Sequence, residues 1–261
     1  MDFTGKRVLV VGTGVSGIAA IRLLAAKGAK PVVLEGNEKA DREQVVSRIP
    51  EGIGYDLIIG NLPEEVMDTL DLAVLSPGVP TDLPFVIKLQ DKKIPVWGEI
   101  ELAYACGSGR LAAITGTNGK TTTTALTGAI LREYYDSVFV VGNIGLPYTE
   151  YALEMKDSSV TVAEVSSFQL ETIHTFQPEV SAILNITPDH LNRHHTMECY
   201  IDTKARIAEN QTKAQICVLN YEDEHLQKLA AKIPADIFWF SSKRPLERGI
   251  WLDGEDIIYK D

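Results

Sequence analysis

Cysteine is scarce in this 261-residue chain: Cys106, Cys199 and Cys217 are odd in number and far apart. That spacing builds neither a disulfide framework nor a zinc site, and it suits ordinary buried thiols in a reducing compartment. Long apolar runs are missing too, and none approaches the ~20 residues that a membrane-spanning helix needs. Near the N-terminus Met1–Arg7 leads only into Val8–Val11, too short for a signal-peptide core and without a small-residue cleavage site beyond it. A cytoplasmic protein with no membrane partner is therefore expected. Basic residues are the third shortage, 25 Lys plus Arg against 36 Asp plus Glu, for a net charge of -11. Such a chain repels polyanions, which argues against nucleic acid and anionic membranes as partners. A small anionic ligand stays possible if lysines, backbone N–H groups or a metal receive it locally.

What is present is an ordinary globular composition, 45% hydrophobic and 23% charged, with no repeat and no low-complexity segment. Arg7–Val11, Pro31–Glu35, Leu57–Ile59 and Leu72–Leu75 read as short buried strands. The apolar spacing from Ile18 to Lys27 reads as a helix closed at Gly28, where a left-handed cap is often needed. Strand, helix, strand in that order implies a parallel sheet with right-handed crossovers. Trp97 to Gly109 reads as a hinge, with a helical run at Glu99–Ala105 and a flexible Gly107-Ser108-Gly109 break. A second α/β pattern then begins. Its expected strands are Leu111–Thr115, Val138–Val141, Val160–Glu164, Val180–Ile186, Ile216–Leu219 and Ile237–Phe240. Its expected helices are Thr121–Leu131, Phe168–Thr175, Met197–Asn210 and Glu224–Lys232. The last residues read as a β-hairpin turning at Asp253-Gly254, so the chain looks interrupted; a hairpin docked on a sheet edge is the alternative. The fold class is α/β: a Rossmann-like parallel-sheet domain over 1–97, then a P-loop ATPase-type domain over 98–261 that is expected to be incomplete at its C-terminus.

Each half opens on a glycine-rich strand-to-helix turn. The first, Gly12-Thr13-Gly14-Val15-Ser16-Gly17, is a G-x-G-x-x-G with Glu35 ending the next strand, where a ribose-binding acid belongs. It points to a nucleotide or diphosphate, with a purely structural turn as the alternative. The second is Thr115-Gly116-Thr117-Asn118-Gly119-Lys120-Thr121-Thr122. Its glycines let N–H groups converge on phosphate, Lys120 reaches the β/γ oxygens, and the Thr121 hydroxyl stands where a magnesium ligand belongs. The strict P-loop asks for glycine at position 114, where this chain has Ile114. ATP with magnesium is the expected ligand; a threonine-rich helix cap with an incidental lysine is the alternative. Glu164 ends a buried strand as a second metal-directed acid, and Asp189 and His190 end another, at the edge where ligands of such sheets gather. Taken alone, the pair His194-His195 reads as surface histidines.

Three further stretches, Gly142–Pro147, Glu164–Glu171 and Leu184–His194, join the phosphate loop in a pattern that resembles the Mur ligase family, builders of the bacterial peptidoglycan precursor. The form Ser166-Ser167-Phe168-Gln169-Leu170-Glu171 is similar to the branch that adds D-glutamate to UDP-N-acetylmuramoyl-L-alanine. The resemblance implies that ATP phosphorylates the substrate carboxylate and that the incoming amine displaces the phosphate. It implies ATP contacts at Gly116, Thr117, Asn118, Gly119, Lys120, Thr121 and Thr122. It further implies that Thr121 and Glu164 hold one magnesium, that His190 lies near a second, and that Lys204, carbamylated, helps to hold it. Lys120, Glu164, His190 and Lys204 form the implied catalytic set. The uridine-diphosphate substrate would be met by Gly14, Val15, Ser16, Glu35, Gly78, Asn143, Ser166 and Gln169. A monomer that lacks the family's C-terminal domain, binds the uridine substrate and turns over little by itself is the expectation. An NAD-dependent oxidoreductase, suggested by Gly12–Gly17 and Glu35, leaves the second loop without a role; a non-catalytic nucleotide-binding module is the third reading.

Overall fold

The computed structural model describes residues 1–261 and divides into two compact units. The first comprises Met1–Ser108, Leu146–Met155 and Glu171–His174. Its strands are β1 (Arg7–Val11), β2 (Lys30–Glu35), β3 (Asp56–Ile59), β4 (Leu72–Leu75) and β5 (Val96–Gly98), all parallel in the order β3-β2-β1-β4-β5. Strands covered on both faces read as continuous apolar runs, which is why β1 and β4 show no alternation. On one face Leu9, Val32, Leu34 and Ala73 pack with Val86 and Leu89 of the helix Pro84–Asp91. The helix Val15–Ala26 ends as expected, with Gly28 at φ +77°. Strand order reverses between β1 and β4, so a crevice opens beyond their carboxyl ends.

Both compact units are discontinuous in sequence. The helix Glu99–Cys106 belongs to the first, because Ile100, Leu102 and Ala103 are fully buried there against the helix Val15–Ala26. Two later segments also return to that unit. The expected helix Phe168–Thr175 is accordingly only one turn, Ser167–Leu170. Beyond it the Thr172 carbonyl accepts from Gly98 N (3.2 Å), and His174 N donates to Glu101 Oε2 (2.9 Å), bonds that pull the backbone out of helix. At Gly109 φ is +89°, and a Cβ would stand 2.4 Å from the Ser159 carbonyl.

The second unit comprises Gly109–Gly145, Lys156–Leu170 and Thr175–Asp261. Its strands are β6 (Arg110–Thr115), β7 (Val138–Gly142), β8 (Val160–Glu164), β9 (Val180–Ile183), β10 (Ile216–Asn220), β11 (Asp236–Ser241), β12 (Gly249–Asp253) and β13 (Asp256–Lys260). The order is β13-β12-β11-β10-β9-β6-β8-β7, with only β12–β13 antiparallel. β9 stops three residues before the expected Ile186, whose N–H donates to Asp223 Oδ2 and not to a neighbouring strand. The expected helix Met197–Asn210 ends at Ala205 and tightens into a 3-10 turn, Arg206–Ala208. The hairpin forms with Asp253 opposite Asp256 and Gly254 at φ +62°, and it docks along β11 through Phe240 and Ile250. β6 lies between β8 and β9, so three carboxyl-terminal strand ends meet side by side.

At Gly17 a Cβ would lie 1.9 Å from the Gly12 carbonyl oxygen, and backbone cannot swing aside. Gly17→Ala is expected to destabilise the protein by about 1–3 kcal/mol or more. Gly78→Ala, which meets nothing within 4 Å, should stay within about 0.5 kcal/mol. Urea unfolding midpoints of the two variants check this.

Candidate active site

The loop after β6 is shaped by glycines and closed by asparagine. Gly116 (φ +155°) and Gly119 (φ +82°) hold conformations that side chains resist. Asn185, just beyond β9, fixes the loop from outside: its Oδ1 accepts from Asn118 N (2.8 Å) and its Nδ2 donates to the Asn118 carbonyl (2.9 Å). Thr117 Oγ1 bonds the backbone of Thr187 and meets the Tyr200 hydroxyl at 3.2 Å. The helix Lys120–Arg132 starts at Gly119 without any side-chain cap, leaving its first N–H groups for an anion. Lys120 Nζ donates to the carbonyls of Gly116 (3.0 Å) and Thr117 (2.9 Å), which poises the amine over the loop. The Thr122 side chain is exposed beside it.

Glu164 ends β8 and is buried, at 1% exposure. Its Oε2 accepts from Thr121 Oγ1 (2.9 Å) and its Oε1 from Asn143 Nδ2 (2.7 Å). Gly142 makes this approach possible: at φ +103° it brings β7 so near that a Cβ would fall 2.2 Å from the Glu164 carbonyl. Neither donor is charged, and no cation pairs with the carboxylate. A buried carboxylate held only by neutral donors is costly unless a cation joins it. Carboxylate, hydroxyl and amide oxygens are hard donors, and together they fit magnesium completed by phosphate and water. No group of three or more His, Cys, Asp and Glu side chains converges anywhere in the chain, so phosphate oxygens would have to finish such a shell.

Lys204 lies at 1% exposure, with Nζ donating to the Gly116 carbonyl (2.8 Å) and Thr115 Oγ1 (3.4 Å) and resting 4.8 Å over the Tyr200 ring. Burial pushes its amine down to about 7; the neighbouring Lys120 adds to the shift and Asp189 opposes it. Lys120 and Lys204 thus meet at one carbonyl, that of Gly116. His190 is exposed, beside Asp189 (3.4 Å) and against the Phe168 ring (4.9 Å), and makes no contact with Glu164 or Lys204. Ser166 and Gln169 are turned toward each other, Ser166 N and Oγ both donating to Gln169 Oε1 (2.8 and 2.9 Å). Sequence reasoning passed over Tyr200, Asn185 and Thr187 as site residues. The last two stand just past the strand next to β6, a position that could have marked them.

In the first unit a cleft of about 680 Å³ opens beyond β1, β2 and β4, lined by Gly12, Glu35 and Gly78 among others. Glu35 accepts from Thr13 Oγ1 and from Asn37 N, which holds its carboxylate at the cleft wall. A second hollow, about 430 Å³, runs past Thr13, Gly14 and Val15 toward Arg22 and Arg48. Ser16 is half-buried and lines neither.

Lys204 gives a pH dependence of known sign. Its ordinary value is 10.5, so between about pH 7 and 10.5 the unfolded chain keeps a proton that the folded chain has released. Stability should rise with pH across that window, by at most about 1.4 kcal/mol per unit, and be flat in this respect below it. Lys204→Met should remove the rise in urea titrations across the window.

Against known proteins, the profile of the Mur ligase middle domain matches residues 114–257, and that of the Mur ligase MurD-like N-terminal domain matches residues 6–98. A UDP-N-acetylmuramoylalanine--D-glutamate ligase of Lachnoclostridium phytofermentans is 57% identical over 261 residues, 100% of this chain and 58% of that protein. One from Clostridioides difficile is 45% identical over 99% of this chain and 57% of its own length. The chain thus spans less than two thirds of these relatives. Among solved structures, a UDP-N-acetylmuramate:L-alanyl-gamma-D-glutamyl-meso-diaminopimelate ligase of Neisseria meningitides superposes with a TM-score of 0.62 at 14% identity, covering 98% of this chain and 85% of the other. The UDP-N-acetylmuramate-alanine ligase MurC of Thermotoga maritima gives 0.53 at 22%, over 92% and 53%. These two likenesses concern the fold. With two family profiles in series along the chain, one ending before the phosphate loop and the other beginning at it, the chain belongs to the Mur ligase family.

Proposed function

We propose that the chain serves an ATP-dependent amide ligation that joins D-glutamate to UDP-N-acetylmuramoyl-L-alanine in peptidoglycan precursor synthesis. The observation that carries this reading is Glu164, a buried carboxylate with only neutral donors, beside Thr121 at a glycine loop built for phosphate. The printed activity of the relatives at 57% and 45% identity supplies the substrates. A cytoplasmic setting belongs to the same reading, supported by three cysteines that are all free thiols. No helix is long and apolar enough to cross a membrane.

In this reading the loop N–H groups and Lys120 receive the β/γ-phosphates of ATP. Magnesium, held by Thr121 and Glu164, would neutralise phosphate charge and polarise the γ-phosphoryl group. The alanyl carboxylate of the uridine substrate attacks the γ-phosphorus, the bond to ADP breaks, and an acyl phosphate forms. The amine of D-glutamate then attacks the acyl carbon; the amide forms, phosphate leaves, and the amine proton goes to solvent or a nearby base. Asn143, whose amide already points at Glu164, stands where it would orient the reacting carboxylate beside the metal. Lys204, with an amine that is half neutral near pH 7, can react with carbon dioxide, and the resulting carbamate would be an oxygen donor for a second cation with His190. Ser166 and Gln169 would part to contact substrate. In the first unit Glu35 and Gly78 at the cleft, with Gly14, Val15 and Ser16 at the turn, would hold the uridine diphosphate.

Release of ADP by the intact protein should require UDP-N-acetylmuramoyl-L-alanine, D-glutamate and magnesium together. Glu164→Gln should lower kcat by about 10²-fold or more while the variant stays folded, because it removes a preorganised charge at the transferring phosphoryl group. ADP release that is indifferent to D-glutamate, in a coupled ADP assay, would overturn the proposal.

A further inference from the structure

The cleft beyond β1, β2 and β4 has a polar residue at its mouth that nothing so far has used. Asn61 follows β3 through Gly60, whose N–H donates to the Glu35 carbonyl (2.8 Å) and whose φ is +91°. Gly60 also lets Glu38 pack against the turn, since a Cβ there would lie 3.0 Å from Glu38 Cγ. Across this contact Asn61 Nδ2 donates to Glu38 Oε1 at 2.7 Å. A carboxylate oxygen only accepts, so it dictates which end of the amide faces it. Most surface asparagines can turn their amide over; this one is held with Nδ2 toward Glu38. One N–H and the whole of Oδ1 are left for a ligand, in a fixed order.

We infer that Asn61, held by Glu38, is the residue that reads the base of the uridine ligand. The inference rests on the proposal that this cleft takes a uridine diphosphate. Uracil presents an imide edge: a donor, N3–H, flanked by carbonyl acceptors. A fixed carboxamide meets that edge with N3–H donating to Oδ1 and the remaining Nδ2–H donating to a uracil carbonyl. Cytosine carries an acceptor at N3 and an amino donor at C4. Against the same fixed amide it would set acceptor against acceptor and donor against donor. An unconstrained asparagine could flip to suit either base, so the discrimination lies in the Glu38 contact as much as in Asn61. The apolar wall from Leu34, Leu62, Val79 and Phe85 gives a planar base somewhere to lie, and Glu35 at the same wall can accept from a ribose hydroxyl.

Calorimetric titration of this chain with UDP and with CDP tests the inference. The unaltered chain should prefer UDP by about tenfold or more, the range of one good bidentate contact. Asn61→Ala should bring the two affinities within about threefold of each other. Glu38→Gln, which can donate as well as accept, frees the amide to turn and should likewise shrink the UDP-to-CDP ratio by raising CDP affinity. Circular dichroism and retained binding of magnesium ATP at the second unit control for folding. If UDP binds and both variants keep the parental ratio, the role given to Asn61 is wrong and the uridine reading stands. If the unaltered chain binds ADP or NAD more tightly than UDP, the uridine reading itself falls.

Discussion

A negative charge placed out of water has to be answered, and Glu164 is where this molecule poses that demand most sharply. It ends β8, paired between β6 and the edge strand β7, buried, with a hydroxyl and an amide as its only side-chain partners. Everything around it follows from that placement. Gly142 is needed so that β7 can approach, Thr121 must open its helix one residue after the loop lysine, and β6 must lie next to β8 for the loop to arrive at all. The two nearby cations do not answer the charge: Lys120 and Lys204 both turn to the Gly116 carbonyl. In the proposed function that unanswered carboxylate is the place for a cation that comes with the nucleotide.

The overall charge of -11 fits this economy of cations. An acidic chain that handles polyanionic ligands cannot draw on a general positive field. It concentrates attraction at a few points, where uncapped helix starts, left-handed glycines and single lysines do what a basic surface does elsewhere. The Gly116 carbonyl is the clearest of these points, since it holds two amines together, and burial, with a smaller push from Lys120, makes Lys204 give up its proton more readily.

Much of this was legible in the sequence because it follows short-range rules. Runs such as Val8–Val11 announce buried parallel strands, and Gly116–Thr121 announces a phosphate loop even with Ile114 in place of a glycine. The Asp253-Gly254 pair announced a hairpin that the structure contains. What escaped was set by partners distant in the chain. Phe168–Thr175 has helical spacing, but Thr172 and His174 are claimed by Gly98 and Glu101, some seventy residues earlier in the chain. Val180–Ile186 is β-prone throughout, yet Asp223 takes the N–H of Ile186. Tyr200 lies outside every motif, and Asn185, though inside the Leu184–His194 stretch, carries no role that its type announces; they matter because folding brings them to Thr117 and Asn118. His190 shows the reverse, a motif residue whose imidazole lies against Asp189 and Phe168.

The two segments that return to the first unit bear on the order in which the chain can fold during synthesis. Arg22 finds its partner in Glu150, 128 residues later (2.9 Å), and Val96 finds His174 (2.8 Å). A ribosome delivers residues in sequence, so the first unit stays without these pieces until His174 has emerged, by which time three strands of the second sheet are already outside the tunnel. The amino-terminal unit is therefore complete only after β6, β7 and β8 have been made. Its helical turn at Tyr148–Tyr151 is among these late pieces, made only shortly before β8.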